Sequence, residues 1–275
     1  MPTVALPTHE LAYETRGDGP PVLLIGGTGE PMIAWEFSGL VDALVAAGHQ
    51  VIWYAARGVA PSGCPPLPWS VTSMAEDASA LLDHVGITTC TAIGYSLGGW
   101  TLEELVRREP QRITRAVLLA SAGSPADATI RDAWTAADHA FVDAGGRIPE
   151  EFTRLMTLMT SLGGPELSDP ALVAEWWELL GDQQEQWTGE GELGQAQVAK
   201  SWIEAGGTTG APWPGVPAAL VHFEHDPLYP PAGAEAVAAH LGGAEVQIVP
   251  GTGHAGLFNQ AEATVAALLR AVASS

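Results

Sequence analysis

The chain has 275 residues, 47% apolar and 16% charged, a globular composition long enough for one large domain or for a domain with an insert. Eleven lysines and arginines against 32 acidic residues leave a net charge of −21, which repels phosphate backbones and anionic headgroups and argues against nucleic acid or a membrane surface as partner. Two cysteines, Cys64 and Cys90, cannot build a disulfide framework, and residues 1–19 lack the pattern of a signal peptide, so the expectation is a cytoplasmic protein with reduced thiols.

Short apolar runs at residues 10–15, 21–25, 50–54, 89–94 and 115–120 alternate with helical stretches, and two more follow at 218–223 and 245–249. Such alternation needs crossover connections and predicts an α/β fold with a mainly parallel sheet. Residues 22–25 and 117–119 show no polar alternation, as expected of strands covered on both faces. Ser73-Met74-Ala75-Glu76 has the spacing of a capping box ahead of Met74, Ala78, Leu81, Leu82 and Val85, with Gly86 as the stop. Leu257, Ala261, Val265, Leu268 and Val272 mark one stripe of a closing helix. Between these segments, residues 125–214 carry helical patterns at 132–144, 150–161 and 170–180 and no strand. They predict a helical lid inserted between core segments 1–124 and 215–275. Trp134, Trp176, Trp177, Trp187 and Trp202 fall within it, some expected to fill the lid core and others to face a pocket. The acidic, Gln-rich stretch 182–193 reads as a surface loop.

One motif carries chemistry. Gly94-Tyr95-Ser96-Leu97-Gly98-Gly99 follows an apolar run and precedes a helical segment, the setting in which G-x-S-x-G forms a nucleophile elbow. A serine on that strained strand-to-helix turn needs small neighbours two residues away on each side, and Gly94 and Gly98 supply them. The helix opening at Leu97 directs free N–H groups and its positive dipole end to where an oxyanion would form.

With these residues and flanks, the chain resembles the α/β-hydrolase fold superfamily, in its lidded branch of small esterases, lactonases and cofactor-free perhydrolases. The resemblance implies a mostly parallel eight-stranded sheet, a lid after the sixth strand and a Ser, Asp, His triad in that chain order. Ser96 matches the nucleophile; Asp226, in Phe223-Glu224-His225-Asp226-Pro227, matches the acid, with Glu224 and Asp127 as rivals. His254, after Pro250-Gly251-Thr252-Gly253, matches the base, and His225 is the nearest decoy. The backbone N–H groups of Leu97 and of Thr28, in Gly26-Gly27-Thr28-Gly29, match the oxyanion hole, although Gly26 stands where the family usually has His. Ala55 replaces the acid of the family's D-x-R-G turn, and Arg57 is expected to tie down loops. Trp35, Tyr95, Trp134, Trp176 and Trp177 are the residues expected at the substrate.

The implied activity is hydrolysis of a carboxylic ester, lactone or thioester of an apolar, bulky small molecule through a Ser96 acyl-enzyme. The superfamily leaves open acyl transfer or perhydrolysis, cofactor-free lyase or cyclase chemistry, and a binding protein with an unused triad. A serine at the elbow argues against the dehalogenases and epoxide hydrolases, which need a carboxylate there. No histidine pair has metal-ligand spacing with a carboxylate, so no metal or cofactor is expected. The expected partner is a small-molecule substrate, and self-association stays open.

Overall fold

A computed structural model describes residues 1–122, 136–137, 139–146, 149–181 and 186–273. Its eight strands are β1 (Thr3–Ala5), β2 (Glu10–Arg16), β3 (Pro21–Ile25), β4 (Gln50–Tyr54), β5 (Cys90–Tyr95), β6 (Ile113–Leu119), β7 (Ala218–Phe223) and β8 (Glu245–Val249). They form one sheet in the order β1-β2-β4-β3-β5-β6-β7-β8. β1 and β2 pair antiparallel, as do β2 and β4, and every later pair is parallel. Leu23 sits in register between Ile52 and Ala92, and these side chains are wholly buried. Burial on both faces explains why the central strands read as unbroken apolar runs. β1 has no counterpart among the predicted runs, because three residues with a single inward side chain, Val4, carry no measurable period.

Helices α1 (Ile33–Phe37), α2 (Leu40–Ala46), α3 (Val71–His84) and α4 (Leu97–Arg108) lie in the connections from β3 to β6. The capping box of α3 lies one turn earlier than predicted. Ser70, in extended backbone, is the N-cap; its hydroxyl accepts from the Ser73 N–H while the Ser70 N–H donates to Ser73 Oγ at 3.1 Å. Ser73 is thus the third helical residue, and two serines fill the roles that Ser and Glu usually share.

Between β6 and β7 the described residues include α5 (Glu150–Ser161), α6 (Gly164–Leu167), α7 (Pro170–Gly181) and α8 (Gly191–Glu204). Of the helix expected at 132–144, residues 132–135 and 138 lie outside the described residues, and 139–143 are helical. Leu158, Leu162, Trp176 and Leu180 form a second apolar cluster that reaches Ala255. Val198, Ala199 and Trp202 of α8 instead join the main core. Of the predicted surface loop at 182–193, residues 182–185 lie outside the described residues, 186–190 form a loop, and 191–193 are helical. Trp187 bridges Val59, the Thr188 N–H donates to the Gly58 carbonyl at 2.9 Å, and residue 191 already begins α8. Polar composition concealed a segment held by its backbone.

Helix α9 (Ala234–His240) precedes β8, and α10 (Gly256–Asn259) and α11 (Ala261–Ala273) end the fold. The predicted closing stripe is split between the last two helices, with the break at Gln260. The most buried residues of α11 are Thr264, Ala267, Leu268 and Ala271, and the predicted Val265 and Val272 pack against the same core from partly buried positions.

Candidate active site

β5 ends at Tyr95, and Ser96 turns the chain into α4 with φ 51° and ψ −121°. A non-glycine residue held there costs about 1–3 kcal/mol, which the surrounding packing must sustain. The Ser96 N–H donates to the Leu119 carbonyl on β6 at 3.0 Å, and its own carbonyl accepts from Gly99 at 2.8 Å. Close packing explains the flanking residues. A methyl group at Gly98 would fall 2.1 Å from the Ile25 carbonyl oxygen, and one at Gly94 would fall 2.4 Å from the Gly98 oxygen. Leu97 is the first residue of α4, so its N–H has no acceptor within the helix.

His254 lies in the loop between β8 and α10, and Asp226 in the loop after β7. His254 Nε2 is 3.0 Å from Ser96 Oγ, and His254 Nδ1 is 2.8 Å from Asp226 Oδ2. Asp226 is 2% exposed, and its Oδ1 accepts the N–H groups of Leu228 and Tyr229 at 2.8 and 2.9 Å. Those two bonds fix the carboxylate plane and aim Oδ2 at the imidazole. A carboxylate can only accept, so the Nδ1–H tautomer is assigned and Nε2 offers its lone pair to the Ser96 hydroxyl. Tyr95 stacks on the imidazole with ring centroids 5.4 Å apart, and its hydroxyl donates to the His254 carbonyl at 2.8 Å. Tyr229 lies at 5.7 Å, tilted by 30°. Burial, with the nearby charges of Glu30 and Asp226, drives the Tyr95 phenol well above its ordinary range, so it stays a neutral donor.

The rivals lie elsewhere. Glu224 accepts the Gly251 N–H at 2.8 Å, and His225 faces Glu224 at 3.7 Å. Asp127 lies outside the described residues. Arg57 binds Asp77 through two 2.7 Å hydrogen bonds and the Ser73 carbonyl at 2.8 Å, tying the loop after β4 to α3.

Several residues expected at the substrate have other surroundings. Trp35 is 1% exposed and meets Tyr95 edge-on, so it is core behind the site and offers no surface to a ligand. Trp176 belongs to the second apolar cluster, where its Nε1–H donates to Asn259 Oδ1 at 3.0 Å. Trp177 is half-buried beneath Arg154, whose guanidinium lies 4.1 Å from the ring centroid. Trp134 lies outside the described residues.

Two carboxyl groups at the site are not singled out by any sequence motif. Glu30 closes the loop after β3: its N–H donates to the Gly27 carbonyl at 3.2 Å, and its Oε2 accepts the Gly27 N–H at 2.6 Å. Next to it, the Gly29 N–H donates to Gln195 Oε1 on α8 at 2.9 Å. Glu166, on α6, serves the opposite loop. Its Oε2 accepts the N–H groups of Gly163 and Gly253, both at 2.7 Å. Its Oε1 accepts from Thr252 Oγ1 at 2.8 Å and Asn259 Nδ2 at 2.7 Å. The segment between β6 and β7 thus holds both the Gly26–Gly29 loop and the His254 loop. A side-chain partner 86 residues distant leaves no periodic signal, which is why only the fold exposes it.

Among the described residues no cluster of histidine, cysteine or carboxylate side chains has the arrangement of a metal site, and no helix is long and apolar enough to cross a membrane.

The model of the alpha/beta hydrolase family matches residues 22–268. BpoC of Mycobacterium tuberculosis, which bears the name non-heme bromoperoxidase, is 25% identical over 264 residues, covering 96% of this chain and 98% of that protein. The thermophilic esterase from Thermogutta terrifontis superposes with a TM-score of 0.78 at 22% identity over 100% of both chains. The enol-lactonase from Burkholderia xenovorans LB400 gives 0.77 at 21% identity, over 99% of this chain and 100% of that one. With that match and a continuous mixed sheet of the same architecture, the chain is an enzyme that belongs to the alpha/beta hydrolase family.

Proposed function

We propose that the protein hydrolyses a carboxylic ester, lactone or thioester of an uncharged, largely apolar small molecule through an acyl-enzyme on Ser96. The observation that carries this reading is the unbroken line from Asp226 Oδ2 to His254 Nδ1 at 2.8 Å and from His254 Nε2 to Ser96 Oγ at 3.0 Å. His254 takes the Ser96 proton as the oxygen attacks the carbonyl, and Asp226 stabilises the imidazolium and holds its orientation. His254 then returns that proton to the leaving oxygen or sulfur. In the second half, water loses a proton to His254, attacks the acyl carbonyl and releases the acid, with Ser96 recovering its proton.

The tetrahedral anion needs N–H donors, each worth about 2.7–4 kcal/mol of barrier. Leu97 supplies one from the start of α4. In the facing loop the Gly27 and Gly29 amides are engaged by Glu30 and Gln195, and in this reading Thr28 between them supplies the second donor. The Thr28 side chain is exposed, so its role is that of its backbone. The net charge of −21 disfavours polyanionic substrates. The helices between β6 and β7 act as the lid that selects the substrate, with Tyr95 and Tyr229 backing the imidazole.

Turnover of a p-nitrophenyl ester series of increasing acyl length, by the wild type and by Ser96→Ala, tests the reading. It expects turnover that depends on Ser96 and a distinct optimum of chain length; turnover that persists in Ser96→Ala would reject it. The name borne by BpoC supports one variation, in which hydrogen peroxide replaces water in the second half and the acyl-enzyme yields a peracid.

A further inference from the structure

The Glu30 carboxyl is an unusual group to find beside a site that must stabilise an anion. A methyl group at Gly27 would lie 3.4 Å from Glu30 Oε2 and 3.4 Å from Ser96 Cβ, so one backbone unit separates the carboxyl from the serine. A methyl group at Gly26 would meet Oε2 at 3.3 Å and Glu30 Cβ at 3.4 Å. Glu30 therefore occupies the direction in which a side chain at position 26 would start, and it braces the loop from there.

The carboxyl is buried although the rest of the residue is partly exposed, and its oxygens are unequally served. Oε2 takes the Gly27 N–H, whereas Oε1 has no hydrogen-bond partner among the described residues. No salt bridge among the described residues includes Glu30. Beyond the Gly27 N–H, the neighbouring groups give an anion no further help. β5 presents the neutral Tyr95 phenol, the loops after β7 and β8 present the Asp226–His254 pair, and α8 presents the Gln195 amide. The Arg57 guanidinium, near the Gln195 amide, is already paired with Asp77. An ionised carboxylate here would keep one oxygen buried without a donor, which costs far more than a neutral carboxyl in the same place.

We propose that Glu30 is a positioning residue that must hold its proton for the Gly26–Gly29 loop to stabilise an oxyanion, so that losing the proton switches acyl transfer off on the alkaline side. The inference rests on the Ser96 acyl-enzyme reading. Burial pushes the Glu30 carboxyl up to about 8, against a smaller opposing effect of the Gly27 N–H, which places the switch just above neutrality. When the proton leaves to solvent, the new negative charge lies beside Thr28 and opposes the charge that develops on the substrate oxygen. At such separations a unit charge changes the rate by about ten- to a hundredfold.

The test is the rate of reaction with a fluorophosphonate, and kcat/KM for p-nitrophenyl acetate, across about pH 6 to 10 in the wild type, Glu30→Gln and Glu30→Met. Gln keeps an acceptor for the Gly27 N–H and Met keeps the volume, and neither can ionise. The wild type is expected to fall about tenfold or more as the pH rises through about 8, while both variants, whatever their level at neutral pH, stay level over that interval. An alkaline fall that persists in whichever variants fold, or a wild type with no fall, overturns the role of Glu30. If Ser96→Ala reacts as fast as the wild type at every pH, the acyl-enzyme reading itself is what has failed.

Discussion

The Glu166 carboxylate, carried by a short helix between β6 and β7, accepts the backbone N–H of Gly253 at 2.7 Å, one residue before His254. The same seam includes the Ala255 N–H donating to the Ser161 carbonyl at 2.8 Å. It also brings Gly253 and Gly163 so close that a methyl group at Gly253 would fall 2.1 Å from the Gly163 nitrogen. Removing the carboxylate leaves buried donors unsatisfied, at about 1–3 kcal/mol each before relaxation. Glu166→Ala is expected to lower the melting temperature and to reduce kcat for an activated ester by about tenfold or more, with a smaller change in KM. Circular dichroism melts and steady-state kinetics on the same preparation check both. An unchanged kcat would mean that the His254 loop holds its position unaided.

Asp226→Asn preserves shape but can present an amide hydrogen to Nδ1, which favours the wrong imidazole tautomer. The comparable change in a serine protease costs about 10⁴ in kcat, and a loss of about three to four orders of magnitude is expected here. Glu224→Gln, two residues earlier and bound to the Gly251 N–H, is expected to stay within about threefold of the wild type. Equal losses in the two variants would contradict the assignment.

Gly98→Ala forces a methyl group against the Ile25 and Gly26 carbonyls, at 2.1 and 2.5 Å. The end of β3 must shift, and the loop that carries Thr28 shifts with it. Kinetics are expected to show a loss of at least about a hundredfold, because displacements near 1 Å at a reacting centre carry penalties of that size. Gly164→Ala, whose new methyl group would meet open space, serves as the matched control.

Stability also responds to pH away from the site. Glu103 on α4 is fully buried, takes a hydrogen bond from Thr208 Oγ1 at 2.9 Å and lies 3.3 Å from Arg107. Burial outweighs both partners and pushes its carboxyl up to about 7. The folded state therefore binds more protons than the unfolded chain between the ordinary carboxylate range and about 7, so this contribution to stability is complete at low pH and is lost as the pH rises. Glu103→Gln is expected to remove about 1–3 kcal/mol of the alkaline decline, measurable by urea denaturation at about pH 5 and about pH 8. A decline of the same size in the variant would locate its source elsewhere.

What could be read in advance follows from the range of each interaction. Strands β3, β4, β7 and β8 have the predicted boundaries because their signal is local, β3 as an apolar run ended by Gly26 and β8 as a short run ended by Pro250. Ser96, Asp226 and His254 stand at strand ends within short motifs, so each was legible one position at a time, while their convergence came from a resemblance. Glu166 and Glu30 were not legible. Each looks like an ordinary surface carboxylate until folding brings Thr252 and Asn259 to the one and wraps Gly26 and Gly27 around the other. The tryptophans mark the same boundary, since their size predicts burial but not whether Trp35 meets a substrate or Tyr95.

The central claim is that Ser96 becomes nucleophilic through His254. Intact-protein mass spectrometry after treatment with a fluorophosphonate, followed by peptide mapping, addresses it directly. A single adduct on Ser96 that forms far more slowly in His254→Ala is the predicted result. No adduct in the wild type, or one on another side chain at an unchanged rate in the histidine variant, would contradict it.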